Sequence, residues 1–392
     1  GNSLIDDQMT LFGEGVNKQG DTCLASSSDT LTMSSIPVDA VVAKAYLIWT
    51  GAVDPAKLTE PTDNMVHLKF AREDGYIYET DIVAGDSAKM LGDTTDPFLF
   101  ESVQMTAEVP TGCSETEAGT PTAADLAYFT YRVEVTDFFT KILDDNHASE
   151  NPVMDGQALY GDYTTSGLDC TENDAYRCPT LMVSNWSLVI IYQSGEIMPK
   201  TLYLYPGFSF KKEEAADVTL GGLDLPYLPS MRMTMLSSEG DPALFDEAEI
   251  ITMRDEAEQT FVLLTGDCDP QDDIYNEVWD SRRSGFMFNA QGNKYCTGYD
   301  TEFTYGFDID QWYLDATADE HLAAFLPDGT TEMTLHFEFA FDEVLTNLFL
   351  LSVNKKYTNF DIPSEATDWP DGREKHLCSC VKDPEDHNGV CQ

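Results

Sequence analysis

Residues 41–49 read Val41-Val42-Ala43-Lys44-Ala45-Tyr46-Leu47-Ile48-Trp49, a run of β-branched, aromatic and small apolar side chains broken by one charge. Gly51 and Pro55 punctuate its end. A short apolar run bounded by turn residues, it reads as a β-strand. Comparable runs recur at 66–70, 76–83, 100–109, 128–135, 187–192, 201–205, 231–236, 249–253, 260–264, 286–288, 332–341 and 347–353, separated by Gly, Pro, Asp and Ser. Many short strands with regular punctuation predict an all-β chain, an antiparallel β-sandwich of jelly-roll or immunoglobulin-like type. Helical periodicity is confined to 137–143 and 316–325, with Leu322 and Phe325 on one face of the second. The connections at 50–64, 84–97, 110–124 and 144–180 are long and rich in Asp, Thr, Pro and Gly, which marks them as functional or tied by disulfides.

A chain of 392 residues, 42% hydrophobic, can bury one large core or two modest ones. The β-rich region spans 1–355, with room for two packed sandwiches dividing near 195–225. From about 356 onward apolar runs give way to Pro363, Pro370, Pro384 and charges, then to Cys378, Cys380 and Cys391, a pattern that predicts a linker and a small stapled tail.

The charge balance excludes whole classes of partner. Lys plus Arg number 22 against 70 Asp plus Glu, a net charge of −48, so nucleic acid and anionic membrane surfaces are repelled. The plain reading is a solvated acidic surface suited to salty water, and the same excess supplies hard oxygen ligands for Ca²⁺.

Nine cysteines, Cys23, Cys113, Cys170, Cys178, Cys268, Cys296, Cys378, Cys380 and Cys391, form neither the paired C-x-x-C of zinc sites nor the C-x-x-C-H of haem attachment. Disulfides in an exported protein are the default. Short separations suggest Cys170 with Cys178, Cys268 with Cys296, and Cys391 with Cys378 or Cys380. The odd cysteine is either buried and free or bonded to a neighbouring chain. No stretch reaches the roughly 18 apolar residues of a membrane helix, and no signal peptide is recognisable, so an exported form would begin after cleavage.

Three segments taken in order, Ala45-Tyr46-Leu47-Ile48-Trp49-Thr50-Gly51, Tyr131-Arg132-Val133-Glu134-Val135-Thr136-Asp137 and Asn185-Trp186-Ser187-Leu188-Val189-Ile190-Ile191-Tyr192, are followed by Ser238-Glu239-Gly240-Asp241 and Gly306-Phe307-Asp308-Ile309-Asp310. Together they resemble a large β-rich domain of bacterial and archaeal cell-surface proteins, a surface-display module. The resemblance implies a β-sandwich on an exterior protein and carries no catalytic residues. In its light Gly1-Asn2-Ser3-Leu4 looks like the end of the family's first strand, and a strand missing there would leave a groove.

Candidate sites carry plain readings beside the functional ones. Asp267, Asp269 and Asp272 crowd one loop, where Ca²⁺ would gather the carboxylates, although the glycine of the EF-hand turn is absent and a solvated loop is favoured. Asp308 and Asp310 alternate at strand period and, with Asp241, would hold Ca²⁺ between loops; carboxylates accepting backbone N–H bonds in a strand-edge turn explain them slightly better. His376 and His387 lie among the tail cysteines at a spacing no common zinc module uses. The histidines His67, His147, His321 and His336 lie apart, without H-E-x-x-H. No G-x-S-x-G or phosphate-binding loop occurs. Among Trp49, Trp186, Trp279, Trp312 and Trp369 a sugar-stacking platform is conceivable, with strand-borne Trp49 and Trp186 better read as core. Asn185-Trp186-Ser187 matches a glycosylation acceptor, but its place at the head of an apolar strand argues against use.

The leading expectation is therefore a secreted or cell-surface structural protein, a self-assembling subunit of an extracellular fibre or surface layer, partnered by itself or by other surface components. The N-terminal segment bearing Leu4, Ile5, Met9, Leu11 and Phe12, or the tail, would pair with a sheet edge of the next copy. The alternative is a Ca²⁺-dependent adhesin or glycan-binding module. An exported hydrolase ranks third.

Overall fold

The computed structural model describes residues 2–3, 26–33, 36–53, 55, 63–84, 100–109, 122–168, 183–195, 197, 200–212, 215–227, 229–238, 249–254, 260–263, 286–288, 294–296, 307–316, 320–339 and 343–354. The chain divides into two compact units, Gly1–Lys355 and Lys356–Gln392, and the second lies outside the described residues.

Strands in chain order are β1 (Asn2–Ser3), β2 (Ser26–Leu31), β3 (Val41–Val53), β4 (Met65–Ala71), β5 (Ile77–Val83), β6 (Phe100–Val109), β7 (Thr122–Glu134), β8 (Gly161–Ser166), β9 (Ser184–Gln193) and β10 (Lys200–Lys212). They continue as β11 (Ala216–Gly221), β12 (Ser230–Ser238), β13 (Glu249–Arg254), β14 (Thr260–Leu263), β15 (Phe286–Phe288), β16 (Lys294–Cys296), β17 (Phe307–Asp315), β18 (Glu332–Phe339) and β19 (Glu343–Asn354). Among the described residues three short helices interrupt them: α1 (Thr136–His147), α2 (Asp155–Ala158) and α3 (Glu320–Phe325). The described fold is mostly antiparallel sheet.

Four larger sheets run in the orders β2-β8-β4-β5, β1-β9-β3-β7-β6, β10-β19-β12-β17 and β11-β18-β13-β14. We call them the first to the fourth. Alternation builds the first: in β4, Val66, Leu68 and Phe70 are buried while Met65, His67, Lys69 and Ala71 face outward. Those buried residues share one core with Leu47, Trp49, Phe129, Tyr131 and Trp186 of the second sheet and with Phe138, Phe139 and Ile142 of α1. A second core joins Met231, Met233, Met235, Phe349 and Leu351 of the third sheet to Leu220, Ile251, Leu335 and Phe337 of the fourth.

The remaining faces of the second and third sheets meet each other. Ile48 and Val189 of the second pack with Leu236, Leu348 and Ile309 of the third. The order is therefore first, second, third, fourth sheet, and the second is covered on both faces. This explains why β3 from Leu47 to Val53 is buried at every position: a strand roofed on both sides needs apolar or satisfied side chains at each residue.

The helix expected at 137–143 extends to His147, because buried Asn146 holds its end: its amide donates to the Val153 carbonyl at 2.9 Å and accepts from the Val153 N–H at 3.1 Å. Three expectations need correction. The connection read as 144–180 contains α2 and β8, whose Gly-Asp-Tyr-Thr-Thr-Ser is too polar for an apolar-run search yet pairs on both sides with β2 and β4. Of the helix expected at 316–325, the described residues show Glu320–Phe325, and Ala316 is a turn instead. The Asp308–Asp310 segment is the interior of a nine-residue strand paired along its length with β12, not a strand-edge turn.

Candidate functional site

Sheet geometry places a buried polar seam between the second and third sheets. Its centre is Arg132 on β7, fully buried. Alternation sends Phe129 and Tyr131 into the first core and turns Arg132 toward the third sheet. There Nη2 meets Glu101 Oε2 of β6 at 2.8 Å and donates to the Gly207 and Asn347 carbonyls at 2.9 and 3.2 Å.

Those two carbonyls lie where the ladder is interrupted. In the β12–β19 pairing Leu236 opposes Leu348 and Ser237 opposes Thr346, so Asn347 is the extra residue of a bulge. The β10–β19 register shifts at the same place, between Pro206 and Ser209. A guanidinium with five fixed donors suits main-chain acceptors that the sheet leaves over. The Asn347 amide donates to Ser238 Oγ at 2.7 Å, and Asn185 of the second sheet donates to the same oxygen at 3.0 Å.

Burial sets the electrostatics. Desolvation raises the Glu101 carboxyl above its ordinary value, with the Arg132 charge opposing. Desolvation also lowers Arg132, with Glu101 opposing, yet a guanidinium starts so high that it stays charged. The seam can therefore rivet two sheets. Its arginine faces main-chain oxygens and one carboxylate, the partners of a structural ion pair.

Other described ionisable pairs lie on faces turned away from the two cores, with His336 buried there and the rest exposed or half-buried. His67 Nδ1 is 2.9 Å from Asp81 on the adjacent strand, Lys44 meets Glu134 at 2.7 Å, and His336 Nδ1 meets Asp217 at 2.7 Å. The outer face of the first sheet adds Ser28 with Thr164 at 2.7 Å and Thr30 donating to Asp162 at 2.6 Å. Among the described residues no three metal-ligating side chains cluster.

One edge of the second sheet differs from the rest. β9 pairs with β3 along one side, while on the other β1 covers only Asn185 and Trp186. Among the described residues no strand pairs with 187–193 on that side.

Of the residues singled out from sequence, Asp241, Asp267, Asp269 and Asp272 lie outside the described residues, as do Leu4, Ile5, Met9, Leu11 and Phe12. So do all the cysteines except Cys296, whose backbone pairs with Phe286. Asp308 and Asp310 occupy alternate β17 positions opposite Ser237 and Met235. Trp49 and Trp186 are core, and so is Trp312, which removes it from any sugar platform. Trp279 and Trp369 are outside the described residues. Asn185 is buried and engaged, which closes it to glycosylation in the folded chain. Sequence reading overlooked Arg132, whose signal was a lone arginine in an apolar strand, and Asn347, whose role needs the bulge to be seen.

No protein-family model, curated protein or solved structure matches this chain. No helix among the described residues is long and apolar enough to cross a membrane.

Proposed function

We propose that the protein is a secreted or cell-surface structural component that assembles with copies of itself into a fibre or layer. The observation that carries this reading is the buried seam at Arg132, which ties the second and third sheets, and with them both cores, into one stiff body. Load-sharing between sheets is what a building block needs, and side-chain hydrogen bonds to main-chain oxygens resist sliding of one layer over the other. In this reading each sheet pair is a β-sandwich, and the resemblance to a surface-display module and the disulfide-compatible cysteines support a location outside the cell. The charge of −48 keeps unassembled copies apart until salt or a matched surface brings them together.

A second reading, a glycan-binding module, is favoured by the outward face of the first sheet, where Ser28, Thr30, Asp162 and Thr164 offer hydroxyls and a carboxylate to sugar hydroxyls. Ca²⁺ held by Asp241, Asp308 and Asp310, or by Asp267, Asp269 and Asp272, belongs with that reading.

Negative-stain microscopy and light scattering of the purified chain, with and without Ca²⁺ and reductant, test the proposal. Filaments or large oligomers are expected. A monomer under every condition overturns assembly, and binding on a glycan array would then support the second reading.

A further inference from the structure

The strands of the third and fourth sheets all lie between residues 200 and 354: β10 opens with Lys200 and β19 closes with Asn354. These two end residues stand directly opposite each other in the β10–β19 ladder. Both turn away from the second core, because Val353, next to Asn354, points into it. Lys200 Nζ donates to Asn354 Oδ1 at 3.2 Å, closing a span of 154 positions.

The other described lysines with shifted amines find carboxylates. Hydrogen bonds to Glu134 and Asp145 raise Lys44 and Lys141 above the ordinary lysine value, which keeps them protonated. Lys200 instead meets a carboxamide. Desolvation lowers its amine below the ordinary value, and the Arg232 charge pushes the same way. Arg232 stands opposite Ser352 on the far side of β19 and on the same face. A desolvated lysine beside a second cation is activated as a nucleophile, because more of it carries a free electron pair.

We propose that Lys200 and Asn354 react with each other to form an isopeptide bond, a covalent clasp between the first and last strands of the second core. Nζ attacks Cγ of the carboxamide, so the Nζ–Cγ bond forms and the Cγ–Nδ2 bond breaks. The electron pair of the broken bond stays on Nδ2, which takes the proton that Nζ gives up and leaves as ammonia. The step balances without an oxidant or co-reactant. The hydrogen bond already holds the amine beside the carbonyl, near the reacting separation of about 3–3.5 Å, and such positioning replaces a bimolecular encounter. Met231 is opposite Val353, so Ser230 comes level with Asn354, and Ser230 is opposite Asp315 of β17. By register the row therefore runs from lysine and carboxamide to a hydroxyl-bearing and a carboxyl-bearing residue, the kinds that pass protons to a leaving nitrogen.

The clasp goes beyond the self-assembly reading and gives it a mechanical device. Strand ends fray first, so a hydrogen-bonded ladder pulled at 200 and 354 opens from that end. With the bond in place, tension entering at Lys200 leaves at Asn354 through one side-chain link, and the segment between them cannot extend.

The test is mass spectrometry of the full chain, purified and reduced, for wild type and Lys200→Arg. Arginine keeps the charge and stays protonated, so it cannot attack. Wild type is expected to weigh one ammonia less than its sequence requires, and its tryptic digest to contain a branched peptide joining the start of β10 to the end of β19. Lys200→Arg is expected at its full sequence mass. Wild type at full mass, or a deficit that persists in Lys200→Arg, overturns the proposal. The branched peptide is read on wild type alone, so the test stands even if the variant fails to fold. Light scattering of the same samples reads assembly separately: oligomers of unlinked chains overturn the clasp and leave the self-assembly reading standing, and linked monomers do the reverse.

Discussion

Arg132 and Asn347 stand 215 positions apart in the chain, yet Nη2 of the first donates to the main-chain oxygen of the second at 3.2 Å. The bond falls at the bulge of β19, so a break in one sheet is satisfied by a charge from another. The consequences are measurable.

Replacing Arg132 with Met removes the charge while keeping much of the volume. Glu101 is then left in a partly desolvated site and two bulge carbonyls lose their donor, a loss of about 3–5 kcal/mol for breaking a buried pair from one side. Urea unfolding should show that drop, and the double variant with Glu101→Gln should recover part of it. Equal losses in the single and double variants would mean the carboxylate is not what Arg132 balances.

The pH profile follows from the same site. Because burial raises Glu101, the folded chain holds that proton more tightly than the unfolded chain. The contribution is full below the ordinary glutamate value of 4.5 and is lost as pH rises through the higher folded value. Asp74 and Asp145 act oppositely: hydrogen bonds from Arg72 and from Lys141 lower them, so their contributions hold above the ordinary aspartate value of 3.8 and vanish as pH falls through the lowered ones. Unfolding free energies measured stepwise in pH should show Glu101→Gln gaining on wild type above about pH 4.5. A constant difference would contradict the assignment.

Trp186 is buried, and its indole N–H donates to Ser27 Oγ at 2.8 Å across the first core, from the second sheet to the first. Ser27→Ala strands that donor and should cost ~1–3 kcal/mol. Ser28→Ala, which removes an exposed hydroxyl pair with Thr164, should stay within about 0.5 kcal/mol. Thermal melts of the two variants give the comparison, and equal shifts would remove the indole bond from the account.

Gly156 in α2 has no room for a side chain: a Cβ there would sit 1.9 Å from the Pro37 carbonyl oxygen, on the turn whose Val38 oxygen accepts the Gly156 N–H at 2.9 Å. Gly156→Ala should lower stability by about 1–3 kcal/mol or more, since backbone cannot yield as a side chain does. Gly75→Ala, at φ +90° with open space around it, should lose through backbone strain alone. Denaturant midpoints separate the two, and a tolerated Gly156→Ala would show that the turn moves.

Much of the sheet content was legible because strand burial writes itself locally. The run that opens at Val41 and the alternation of Val66, Leu68 and Phe70 need only their neighbours to be read. The Ser/Thr-rich β2 and β8 were not legible, since their strand state comes from cross-strand partners such as Ser28 and Thr164 and not from hydrophobicity. The candidate acidic sites were read from composition, which says that carboxylates abound and not where they meet.

The amino-acid sequence by itself determined the β class, the strong acidity and which residues want to leave water, because these depend on side-chain chemistry at single positions and at period two. The tertiary structure alone decided that β9 lies between β1 and β3, that the second sheet is roofed on both faces and that Arg132 reaches the β19 bulge. Antiparallel partners are chosen by the packing of whole faces across long loops, so a strand's local sequence names the faces it must bury and leaves the neighbour to the fold.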